Sequence, residues 1–138
     1  MPTLSRLLAL FATFALLGCS PTVDTSAAEA AVANFHLLLD QAKFNEIYEA
    51  AGEDFKKDGP RSEAIALFEA VHRKLGSARV VEKQTWSISY EANGTFIRLD
   101  YKTTFDKGEA KEHFVFRMQE GVASLSGFHV ASNAFIRE

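Results

Sequence analysis

The sequence predicts an α+β domain: N-terminal helices packed on a curved, four-stranded antiparallel meander. Three observations predict it. Between residues 26 and 75, apolar residues recur at three- and four-residue spacing, the period of one helix face. From Trp86 onward they recur at every second residue, the period of a strand. The second half is also punctuated by Asn93-Gly94, Lys107-Gly108 and Glu120-Gly121, each a hairpin-turn pair.

The elements follow in order. Ser26-x-x-Glu29 has the capping-box pattern of a helix start. Ala28, Val32, Phe35, Leu38 and Leu39 then share one face. Asp40-Gln41-Ala42 interrupts the period, Phe44, Ile47, Tyr48 and Ala51 resume it, and Gly52 ends it. Asp58-Gly59-Pro60 opens a third helix, with Pro60 expected at its first position. Its buried stripe is Ala64, Leu67, Phe68, Val71 and Leu75, and Gly76 caps it.

The turns set an expected register. A two-residue loop at Asn93-Gly94 pairs Tyr90 with Ile97, Ile88 with Leu99 and Trp86 with Tyr101. A loop at Lys107-Gly108 pairs Tyr101 with Phe114, Leu99 with Phe116 and Ile97 with Met118. A loop at Glu120-Gly121 pairs Phe116 with Leu125 and Met118 with Ala123. All three place the same apolar set on one face, and a one-residue slip would destroy that agreement. In the last strand Phe128 and Val130 change parity, so a bulge is expected at Gly127, opposite Phe114.

Ahead of the domain, residues 1–18 have the layout of a secretory signal: Arg6 in a short leader, then eleven residues, 7–17, with Thr13 the only polar one. Eleven is too few to cross about 30 Å of hydrocarbon, which takes about 20. Leu16-Leu17-Gly18-Cys19 resembles the lipobox of bacterial lipoproteins. That resemblance implies cleavage after Gly18, a diacylglyceryl thioether on Cys19 and N-acylation of the new terminus. Cys19 is the single cysteine and has no disulfide partner within the chain. Ser20 rather than Asp after it implies, by the same resemblance, the outer membrane facing the periplasm. The alternative is ordinary secretion with a later cut near Ser26-Ala27-Ala28. The expected organisation is thus a signal peptide over 1–18, a linker with lipidated Cys over 19–25, and one domain over 26–138.

The mature chain is mildly acidic, so nucleic acid is not an expected partner. Twelve phenylalanines supply aromatic core material. The element order, Phe35-x-x-Leu38-Leu39 followed by Phe44-x-x-Ile47-Tyr48, Leu75-Gly76 leading into the first strand, and Leu125-x-Gly127-Phe128 in the last together resemble the cystatin-like cone of the NTF2-like superfamily. They also look like uncharacterised secreted and lipoprotein families of that fold. In ketosteroid-isomerase-like members, a buried carboxylate takes a proton and a Tyr or a protonated acid stabilises the oxyanion.

The predicted inward face carries one acid, Glu112, near a rim with Gln84 and Thr103. Unbulged pairing sets His129 opposite it, a candidate acid–base pair, although the bulge at Gly127 would break that pairing. Trp86, Tyr90 and Tyr101 are candidates for a ligand pocket, against the simpler reading of Tyr rings as core. No metal site is expected: the four histidines show no ligand spacing beyond a lone Glu69-x-x-His72. No phosphate loop or nucleophile elbow appears, and no cofactor is expected. The outward sheet face is polar apart from Phe96 and Val115, and reads as solvated or as a docking side. The function expected is a membrane-anchored envelope lipoprotein that binds an envelope protein, a small apolar ligand or a second copy of itself, without catalysis. The alternative is a small isomerase- or hydrolase-type enzyme using Glu112 and His129.

Overall fold

The structure is a computed structural model and describes residues 24–136. The leader and Cys19 lie outside the described residues. Helix α1 (Ser26–Asp40) starts one residue after Thr25, whose hydroxyl donates to Glu29 Oε1 at 2.5 Å. The N-cap is therefore Thr25 rather than Ser26, and no side chain caps a backbone N–H there, so the expected Ser26–Glu29 capping box does not form. The buried stripe of α1 is Ala28, Val32, Phe35, His36 and Leu39. Helix α2 (Phe44–Ala50) follows. A short helix that the periodicity did not announce, α3 (Glu53–Lys57), comes next. It is too short to show a helical period, and its signal is charge: Glu53 and Asp54 in the first turn, Lys56 and Lys57 in the last, matching the helix dipole. Helix α4 (Arg61–Leu75) has Pro60 as its N-cap, one position earlier than expected. Gly76 ends it at φ +76°, where a Cβ would sit 2.9 Å from Asp106.

Four strands then form one sheet in chain order: β1 (Ala78–Glu91), β2 (Gly94–Phe105), β3 (Gly108–Gln119) and β4 (Val122–Ala131). The third hairpin has the expected register, with Phe116 opposite Leu125 and Met118 opposite Ala123. Its turn residues Glu120 and Gly121 both have positive φ, 51° and 77°, as a type I′ turn requires. The first two hairpins differ from expectation. Ile88 faces Ile97 and Trp86 faces Leu99; Leu99 faces Phe114 and Tyr101 faces Glu112. The two-residue loops are Ala92-Asn93 and Asp106-Lys107, and the glycine follows each loop instead of belonging to it, at φ 145° and 157°. Both slips amount to two residues of pairing, so side chains from Trp86 onward in these hairpins keep their face; in β1 the register also shifts at Gln84, so Lys83 rather than Gln84 falls in line with the inward Tyr101. In β4 the register shifts between Val115 and Phe116, leaving Ser126 as the extra residue; Gly127 faces Val115 and Phe128 faces Phe114. The bulge is thus one residue earlier than expected and produces the expected change of parity.

The helices cover one face of the sheet. The core between them holds Phe35, Phe68, Phe114, Phe116 and Phe128, all buried, with Leu39, Leu75, Ile97 and Leu99. Coverage is uneven. The edge strand β1 is exposed along most of its length, whereas β2 and β3 alternate buried and exposed positions. Gly52 N–H donates to Leu125 O at 2.9 Å and so fixes the α2–α3 junction against β4, on the far side of the sheet from β1.

Candidate functional site

Glu112 points into the core from the middle of the sheet layer and is 1% exposed. Its Oε1 takes a hydrogen bond from Thr103 Oγ1 at 2.5 Å and lies 2.8 Å from His36 Nε2. Thr103 is a neighbour on β2, while His36 comes from α1, 76 residues away in sequence. The imidazole is flanked by Phe35, Phe105 and Phe114, edge-on at 5.8, 6.2 and 6.0 Å between centroids. Glu112 Oε2 is buried with no partner among the described residues. The arrangement is a carboxyl–imidazole–hydroxyl cluster enclosed by aromatic rings, with one acceptor unmet.

His36 lines a surface cleft between α1 and β1 with Glu29, Val32, Asp40, Val81 and Tyr101, and Glu112 is among the residues of a second cleft with Gln84, Asp100, Tyr101, His113 and His129. Tyr101 is buried beside it, directly across the ladder from Glu112. Burial, and then the charges of Glu29 and Glu112, push its phenol up to about 12. A phenol raised from its unfolded value near 10 favours the folded state below that value, and the contribution fades as pH climbs from about 10 through 12. The Tyr101→Phe variant is therefore expected to lose stability less steeply than the parent across that alkaline window, read from melting temperature against pH.

The structure separates the other expected site residues. His129 faces His113 across the ladder, with ring centroids 6.3 Å apart, and Glu112 faces Val130. The Ser126 bulge puts the His129 side chain on the outer sheet face, opposite to that of Glu112, so the expected Glu112–His129 pair does not form. Trp86 and Tyr90 do not join Tyr101 in a pocket. They sit on the helix side of β1, beyond the helices, and are 50% and 77% exposed. A cavity between α1, α2 and the β3–β4 hairpin, lined by Phe35, Leu38, Ile47, Phe116 and Leu125, holds about 90 Å³. That is below the roughly 300 Å³ a small-molecule site needs, whereas the open clefts at His36 and at Glu112 hold about 430 and 520 Å³. Among the described residues no three His, Cys, Asp or Glu converge as metal ligands, and no helix is long and apolar enough to cross a membrane.

On the outer face, Asp100 accepts from Thr85 Oγ1 at 2.7 Å and lies 2.6 Å from His113 Nδ1; those bonds hold its carboxyl below the ordinary range. Phe96, apolar on this polar face, is buried under the Arg98 and Arg117 guanidinium groups at 5.9 and 5.2 Å.

Sequence reasoning placed Glu112 and Thr103 on the inward face but missed His36. A signal for it existed: His36 lies between Phe35 and Leu39 on the stripe begun by Val32, and a polar side chain on a buried stripe needs a partner.

No protein-family model and no curated protein matches the sequence. Among solved structures, the chain is similar to one from Shewanella frigidimarina NCIMB 400 described as "a putative ketosteroid isomerase". The identity is 13%, the match covers 77% of this chain and 95% of that one, and the TM-score is 0.49.

Proposed function

We propose that the chain is a cell-envelope lipoprotein, anchored through Cys19, whose α+β domain works by binding and not by catalysis. The supporting observation is the uncovered part of the helix-side sheet face. Trp86, Ile88 and Tyr90 share that face with the core residues Ile97 and Leu99; Ile88 is half-buried against the core, and Trp86 and Tyr90 on either side of it are exposed. Large aromatic side chains left on an open face are a contact surface waiting for an occupant. The inward acid, by contrast, is bonded to His36 and Thr103 inside packed rings. The lipobox supplies the anchor, and the residue after Cys19 favours the outer membrane, facing the periplasm. An envelope protein, a second copy of the chain and the membrane surface itself are the occupants to test.

Oxidative footprinting tests this reading. Trp86 and Tyr90 are expected to be oxidised more slowly in intact envelopes than in the detergent-extracted protein, and intact mass should show acyl groups on Cys19. Equal rates in both states would remove the binding surface, and an unmodified Cys19 would remove the anchor.

One observation favours a second reading, acid–base chemistry by Glu112 and His36: the unmet Oε2 beside an imidazole that touches the cleft. A small molecule that shifts the His36 ring resonances in a titration, leaving the Trp86 indole unmoved, would support it.

A further inference from the structure

The start of the domain lies beside the middle of β1, at the inner margin of the uncovered strip. Helix α1 and strand β1 run antiparallel, side by side. At one end Asp40 Oδ1 accepts from Ala78 N–H at 3.2 Å; at the other, Lys83 Nζ lies 2.5 Å from Glu29 Oε1. The two spans match: eleven helical residues rise about 17 Å, and five strand residues about the same. The chain therefore enters α1 just beyond Lys83, on the side of Trp86, Ile88 and Tyr90. Val122, 61% exposed, lies at this end too, beside the β3–β4 turn. The helix-side positions here are Trp86, Ile88, Tyr90, Thr95, Ile97 and Met118, none of them charged.

The tether has a matching length. Six residues lie between Cys19 and Ser26, so the two are seven steps apart, a reach of at most about 25 Å. Tyr90 lies seven strand residues beyond Lys83, about 23 Å away. A lipid on Cys19 can thus reach the strip along its whole length. The occupant must accept an indole and a phenol and offer no charge to pair. Trp and Tyr have that character at the boundary between headgroups and acyl chains, where an apolar ring and a polar edge are both satisfied.

We infer that the Trp86–Ile88–Tyr90 face rests on the lipid surface that holds the anchor, so that the domain lies against the membrane by this end instead of swinging free on its linker. The inference rests on the anchored reading above and names the partner of the same strip. It also fixes the orientation of the domain: the β2–β3 turn at Asp106-Lys107, at the opposite end of the sheet, points away from the membrane.

Trp86 is the only tryptophan in the chain, so its emission reports this face alone. The acylated protein is reconstituted in phosphatidylcholine vesicles and in the same vesicles with brominated acyl chains. Brominated lipid is expected to quench Trp86 on the order of two-fold, since an interfacial residue sits about 5–10 Å into the headgroup and acyl boundary. The emission should also lie to the blue of that in detergent-free buffer after the lipid is removed. A protein shown by mass to be acylated, and bound to vesicles, whose emission is the same with and without bromine overturns the inference and leaves the anchor standing. A blue shift without quenching, accompanied by a doubled particle mass, also overturns it and assigns the face to a second copy. A protein without acyl groups that fails to bind vesicles overturns the anchored reading, and the inference with it.

Discussion

Replacing Glu112 with alanine is expected to cost about 3–5 kcal/mol, the usual result of removing one member of a buried, hydrogen-bonded pair. The loss has two sources. His36 and Thr103 would be left with buried polar atoms facing only rings, at about 1–3 kcal/mol for each unmet group. The truncation would also open a cavity among Phe105, Phe114 and Tyr101. Against a total stability of about 5–15 kcal/mol for a domain, a loss of this size approaches unfolding. Replacing both partners tells a different story. The His36→Leu/Glu112→Leu variant removes donor and acceptor together and fills the space with apolar atoms, so it is expected to recover most of the loss, and exchanges of this kind are sometimes stabilising. Urea unfolding with an unchanged slope would report both effects as shifts of the midpoint. If the single variant were as stable as the parent, the cluster would hold nothing together.

The contrast bears on why the cluster is there. Oε2 has no donor among the described residues, so the group is not arranged for maximal stability. What it does fix is position: it holds α1 to the centre of the sheet through residues 36 and 112. The double variant separates the two roles. If it is stable but allows α1 to move, the α1–β1 contacts at Glu29–Lys83 and Asp40–Ala78 will loosen first, and hydrogen exchange along α1 will show it.

How much of this was legible in the sequence depends on which interaction decides each feature. Face assignments were legible because strand parity is set locally, and even the two-residue slips in the first two hairpins left Ile97, Leu99 and Phe116 inside. The register itself was not. A glycine after a two-residue loop and a glycine within one leave the same short pattern, and only backbone angles tell Gly94 and Gly108 from Gly121. The Glu112–His129 pair failed for a related reason. One extra residue, Ser126, turns His129 to the other side, and a bulge at Gly127 or at Ser126 gives the same parity downstream. His36 was hidden because its partner lies on the far side of the chain, and no local pattern joins residue 36 to residue 112. The open strip was hidden as well: Trp86 and Tyr90 have the spacing of core residues, and whether a helix covers them is decided by where α1 begins.

Phe114→Ala is the second large effect, expected at about 3–5 kcal/mol. Phe114 is fully buried, and its ring lies within 6.0 Å, centroid to centroid, of Phe35, His36, Tyr101, Phe116 and Phe128. Those partners come from α1 and from all three of the inner and far strands, so one truncation loosens the helix layer and the sheet together. The neighbours cannot collapse into the gap, because each is held by its own strand or helix; the cavity therefore persists and its full cost is felt. For a domain of this size the melting temperature should fall by roughly 10–25 °C. Trp86→Ala is the control that gives the number meaning. Trp86 is larger than Phe114, yet half its surface is already in water and no helix rests on it, so its loss in the isolated protein should be within roughly 0.5–1 kcal/mol of neutral. A residue of that size that contributes little to folding is free to be kept for contact. If Trp86→Ala destabilised the domain as much as Phe114→Ala, β1 would be an ordinary core strand and its open face would need no occupant.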